Sequence, residues 1–101
     1  MDQSSPTNRH ALYDAVLTAI DRERETILRV ADAIHARPEL AMEERFACDL
    51  LATTIAEYGF EVERAAGGVE TAFKARRRGS AAGPAIAFLA EYDALPGVDH
   101  G

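Results

Sequence analysis

Thiol chemistry is almost missing from this sequence: its one cysteine, Cys48, cannot form a disulfide within the chain. That fits a reducing compartment. Cys48 falls inside a helical pattern, where a small buried apolar side chain is the default reading. Tryptophan is absent, and so are long apolar runs; nothing approaches the roughly 20 residues of a membrane-crossing helix. The opening MDQSSPTNRH has no apolar stretch of the kind a secretory leader needs. Cations are scarce too. Lys and Arg number 11 against 17 Asp and Glu, a formal net charge of -6. Phosphate neutralisation needs clustered cations, so the balance argues against a nucleic-acid partner. The one basic cluster, Arg76-Arg77-Arg78, runs into Gly79-Ser80 and reads as a solvated turn. These absences predict a soluble, cytoplasmic protein with neither nucleic acid nor membrane as partner.

What is present is ordinary for a globular chain. Hydrophobic residues make up 48% and charged residues 28%, which excludes wholesale disorder. At 101 residues the chain can bury one modest core. Residues 1–9 are polar and read as a frayed tail, with Thr7 or Asn8 placed to cap a first helix. Leu12, Val16, Ile20, Ile27, Ala31 and Ile34 then fall on one helical stripe, which the charged run Asp21–Glu25 interrupts for about a turn. Pro38 ends that helix, because the residue before proline avoids helical dihedrals. A second helix is predicted from near Met42, with Glu43 and Glu44 in its first turn. Ala47, Leu50, Leu51, Thr54, Ile55 and Tyr58 form its apolar face, and Gly59 stops it. The period then changes to two. Phe60–Glu63 and Val69–Ala75 alternate about Gly67-Gly68, which predicts a hairpin.

The closing stretch PAIAFLAEYDALPGVDHG gathers the chemistry. A run of apolar residues from Ala85, bounded by Gly83-Pro84 and Pro96-Gly97, reads as a strand buried on both faces. Ligands collect beyond the carboxyl ends of such strands in open α/β sheets. Glu91 and Asp93, two apart, leave an extended backbone on the same side. Leu95-Pro96-Gly97 turns the chain towards Asp99 and His100. Carboxylates and a histidine are zinc-binding chemistry, and on paper Glu91, Asp93, Asp99 and His100 supply enough ligands. An ordinary solvated strand end has the same composition. Two further features have bland readings that compete with chemistry. His35 suits the carboxyl end of a helix dipole, and the adjacent Glu43 and Glu44 do not face one another on a helix.

The residues also carry a resemblance. Ala90-Glu91-Tyr92-Asp93-Ala94-Leu95-Pro96, followed by a short link and His100-Gly101, resembles the first active-site motif of the dinuclear zinc amidohydrolases. These are the aminoacylase, carboxypeptidase G and aminobenzoyl-glutamate hydrolase relatives, and the wording is most similar to the last branch. Ile34-His35-Ala36-Arg37-Pro38-Glu39-Leu40, followed by Glu43-Glu44, resembles the helix-connecting motif near the amino terminus of the same family. The likeness runs from roughly His10 to Gly101 and covers the opening quarter or so of a family member.

The resemblance implies an α/β fold: two amino-terminal helices, a β-hairpin and a buried strand, as part of a three-layer α/β/α catalytic domain. It implies a small-molecule amide or peptide substrate and zinc or another divalent metal in the complete enzyme. Two metals would polarise the scissile carbonyl and activate a bridging water, and a glutamate would move its proton to the leaving amine. In the family a Cys-Gly-His motif after the counterpart of His100-Gly101 supplies the first metal ligands. Residues 10–101 are therefore expected to bind no metal by themselves and to be inactive alone. Asp93 matches the supporting aspartate that orients a metal-side group, and it is the residue singled out for the catalytic region. Glu91 stands where other branches place a metal-binding histidine, and His100 is only site-adjacent. A small acidic interaction module without catalysis is the alternative. Self-association or marginal stability is expected of the enzyme portion, since the buried strand wants neighbours on both edges, whereas the module would fold as a stable monomer.

Overall fold

The computed structural model describes residues 6–97. By its internal contacts the chain parts into two units, Met1–Ala31 and Asp32–Gly101. Helix α1 spans Pro6–Arg22 and helix α2 spans Arg24–His35. The helix thus begins already at Pro6, ahead of the expected Thr7 or Asn8 cap. Proline is at home in a first turn, where its missing N–H would have no partner anyway. Only Glu23 separates the two helices, inside the charged run. Its N–H points to the carbonyls of Ala19 and Ile20 at 3.2 and 3.1 Å, and its own carbonyl accepts from Ile27 at 3.0 Å. The predicted first helix is therefore two helices joined by a one-residue irregularity. Leu12, Val16, Ile20 and Ile27 keep 61%, 49%, 50% and 48% of their surface, so the stripe is present but open. His35 is exposed in the last turn of α2, in keeping with a dipole role.

In the second unit, helix α3 (Arg45–Ala56) packs on an antiparallel hairpin. The hairpin pairs β1 (Glu61–Arg64) with β2 (Phe73–Arg76) in the register Glu61 to Arg76 and Arg64 to Phe73. Small residues let the helix close on the sheet: Ala47, Cys48 and Ala52 are buried, while Leu51, Ile55, Val62 and Phe73 are half-buried around them. Cys48 is thus the small core side chain that its setting predicts. Thr54 hides its hydroxyl by donating back to the Leu50 carbonyl at 2.6 Å. The helix ends in a tightened last turn, in which Gly59 N–H bonds to Ala56 O at 3.1 Å. Gly59 then takes φ +85°, a left-handed position that a side chain would strain. Two ion pairs, Arg45–Glu70 and Arg64–Asp49, are solvent-exposed and contribute about 0–1 kcal/mol each.

Two expectations need correction. Val69 and Thr71 do not belong to a strand. They lie in the connection between β1 and β2, which begins with a short 3-10 turn at Ala66–Gly68. The larger correction concerns the segment that begins at Pro84. It has no regular secondary structure as far as Asp93, and Ile86, Phe88 and Leu89 are 79%, 93% and 97% exposed. A strand is buried by its neighbours, and among the described residues the only sheet is the two-stranded hairpin. Apolar composition prepares a segment for burial but supplies no partner. The mixed α/β class holds, built among the described residues from three α-helices and a two-stranded sheet.

Candidate functional site

The two sequence motifs meet in space, and they meet at the start of α3. Pro38 breaks away from α2, and Glu39 returns its carboxylate to the next helix. There Oε2 accepts from the Phe46 N–H and Oε1 from the Ala47 N–H, each at 2.9 Å. Those donors have no partner within the helix, so Glu39 caps α3 from outside it. Arg37 lies over the Phe46 ring, 4.1 Å from its centroid. Partial desolvation pushes the Glu39 carboxyl up. The Ala47 and Phe46 hydrogen bonds, the Arg37 charge and the Arg45 N–H outweigh it and hold the group below the ordinary carboxylate value. Glu44 precedes the helix and makes no side-chain cap. The predicted start near Met42 is thus three residues early. Met42 instead takes φ +70° and turns the chain into the helix.

From this anchor two routes lead to the second motif. The backbone carbonyl of Glu39 accepts from the Ala94 N–H at 2.7 Å, and Leu40 pairs with Ala94 in a parallel bridge. Glu44 Oε1 accepts from the hydroxyl of Thr71, a buried residue, at 3.0 Å. The Thr71 carbonyl in turn accepts from the Tyr92 hydroxyl at 2.6 Å. Tyr92 stacks on Phe73 with ring centroids 6.3 Å apart and planes at 22°. Burial pushes the Tyr92 phenol well above its usual range, with added contributions from Cys48 and the Glu44 charge. The phenol therefore stays protonated at all physiological pH, as a donor must.

Asp93 sits between the two tethered neighbours and is exposed, as is Glu91. With Glu44, Thr71, Met42 and Phe73 they line an open depression of about 370 Å³. That volume is within the usual span of small-molecule sites. Asp99 and His100 lie outside the described residues. Among the described residues, no three His, Cys, Asp or Glu side chains come together as a metal cage. A catalytic zinc needs about three protein ligands, so these residues do not fit one unaided. Glu39 and Tyr92 lie within the two motifs but gain no role from them, and Thr71 reads only as part of an alternating strand. Glu39 had one available signal, a carboxylate shortly before a helix, but its reach across the Met42 turn is a tertiary fact.

Sequence comparison extends the likeness beyond the motifs. The chain is 36% identical over 88 residues to a subunit of the p-aminobenzoyl-glutamate hydrolase of Escherichia coli (strain K12), covering 86% of this chain and 18% of that protein. It is 37% identical over 85 residues to thermostable carboxypeptidase 2 of Saccharolobus solfataricus, covering 84% of this chain and 21% of the relative. The chain belongs to this amidohydrolase/carboxypeptidase-like family. Thermostable carboxypeptidase 1 of the same archaeon is 39% identical over 70 residues, 69% of this chain and 18% of its own length. The amidohydrolase-like chain thus spans about a fifth of the length of these relatives. No family model matches it. Among the described residues, no helix is long and apolar enough to cross a membrane.

Proposed function

We propose that this chain forms the amino-terminal portion of a metal-dependent amidohydrolase that cleaves the amide bond of N-acyl or N-aroyl amino acids or small peptides. The reading rests on one observation above all: the two motifs that carry the family likeness, residues 34–44 and 90–96, are hydrogen-bonded side by side. The names of the relatives support the substrate class. One names a hydrolase of p-aminobenzoyl-glutamate, and two name carboxypeptidases. An amide bond beside an amino-acid carboxylate is common to both. Zinc or another divalent metal belongs to this reading, with ligands from outside the described residues. Alone, residues 1–101 are then inactive and bind zinc weakly. Asp93 is the site-facing carboxylate, and Glu91 and His100 are its neighbours in sequence.

The test is hydrolysis of N-acyl and N-aroyl amino acids by the complete gene product, before and after chelation. Activity that is lost with the metal and restored by zinc is expected. Asp93→Asn then lowers turnover about 10–100-fold, the usual effect of removing a group that orients a metal centre. Its thermal transition stays near wild type, and Glu91→Gln does less. Turnover and metal content near wild type in Asp93→Asn would remove Asp93 from the site, and an unfolded variant would make it a structural carboxylate. No amide hydrolysis by the complete product overturns the proposal.

A further inference from the structure

We infer that Tyr92 and Glu39 are positioning residues, which fix the backbone of Asp93 by tying the residues on both sides of it to the amino terminus of α3. The inference rests on the proposed function for its catalytic meaning, but its geometry stands apart from that reading.

Each tether can be followed atom by atom. On one side, the Glu39 carboxylate holds the Phe46 and Ala47 N–H groups, which fixes the residue whose carbonyl then accepts from Ala94 at 2.7 Å. On the other side, the Tyr92 hydroxyl donates to Thr71 O at 2.6 Å, and the Thr71 hydroxyl donates to Glu44, the residue just before the helix. Both routes end on the same turn of the chain. Asp93 has no such hold of its own in this scheme; its direction comes from Tyr92 and Ala94. Its surroundings show what the tethers oppose. Residues 84–91 are exposed and have no regular structure, so an irregular, exposed segment leads directly into Tyr92. The Phe73 stack and the Thr71 bond hold the chain one residue before the carboxylate. A carboxylate that must meet a reacting centre needs such support, since activity falls steeply when a group is out of place by about an ångström.

The test uses Tyr92→Phe in the full chain, which keeps the ring on Phe73 and deletes only the hydroxyl. Two readouts do not depend on activity: hydrogen exchange of the Ala94 amide, and the Asp93 HN–Hα coupling, which reports its φ. Exchange at Ala94 faster by about tenfold or more, with a coupling averaged towards unstructured values, is expected. Glu39→Gln, which keeps oxygen and shape, provides a second variant and should move the same two signals by less. Ala94 exchange and Asp93 coupling equal to wild type in Tyr92→Phe would overturn the tether. In the complete gene product, Tyr92→Phe should lower kcat about tenfold with KM near wild type. Moved exchange with unchanged kcat overturns the positioning role and leaves a purely structural contact. A wild-type product without hydrolysis overturns the proposed function instead, and the two spectroscopic signals still decide the tether.

Discussion

Glu39 shows how much a single side chain settles here. Its carboxylate is held ionised by two backbone donors against a partial desolvation that pushes the other way. Its folded pKa lies below the ordinary 4.5, so the stability it contributes is fully present above that value. It is lost as pH falls through the lower, folded value. Acid is therefore expected to loosen the start of α3, and with it the Ala94 contact, at a pH below 4.5. Glu39→Ala should cost about 1 kcal/mol near neutral pH, as loss of a helix cap does, and should flatten this part of the acid transition. Urea unfolding followed between pH 3 and 7 measures both. Unchanged acid behaviour in the variant would show that the cap is not a source of stability. A carboxylate shortly before a helix is the one trace that this task leaves in the sequence. The place of Glu39 between the end of a helix at Pro38 and the start of another near Met42 was legible, whereas its partners depended on the direction of the Met42 turn.

At the scale of elements, legibility followed periodicity. The 3.6-residue repeat from Ala47 to Tyr58 and the stop at Gly59 predicted α3, which ends at Ala56, and alternation with Gly67-Gly68 predicted the hairpin. The apolar residues from Ala85 onwards had no period to read. A continuous run says that a segment tolerates burial, but whether anything buries it depends on other strands. Here Phe88 and Leu89 are almost wholly exposed, and among the described residues the hairpin has unpaired outer edges. Both features favour association of chains. A second copy of this chain is the expected occupant, because two such segments present the same apolar side chains and free backbone groups to each other. Sedimentation velocity should show concentration-dependent association of residues 1–101, reduced by Phe88→Ser with Leu89→Ser. A monomer at all concentrations, with a sharp thermal transition at high temperature, would contradict this.

For the molecule as a whole, the two motifs were readable as words but not as neighbours. Their contact is made directly by a carbonyl and an amide, and through Thr71 by a phenol, groups that leave little trace in hydropathy. The pairing of Leu40 with Ala94 closes a loop that contains all of α3 and the hairpin. Closed as free chain, that loop would cost entropy rising with the logarithm of its length. With α3 and the hairpin formed first, from residues close in sequence, most of the loop is already ordered and the remaining gap is short. The order of assembly follows: scaffold first, Tyr92–Ala94 last. In stopped-flow kinetics Tyr92→Phe is expected to speed unfolding and to leave the folding rate near wild type, as for contacts made after the transition state. A folding rate that drops in step with stability would place the contact in the nucleus instead. A nascent chain would then fix the backbone at Asp93 only once α3 and the hairpin are built, and would release it first when the fold begins to fail.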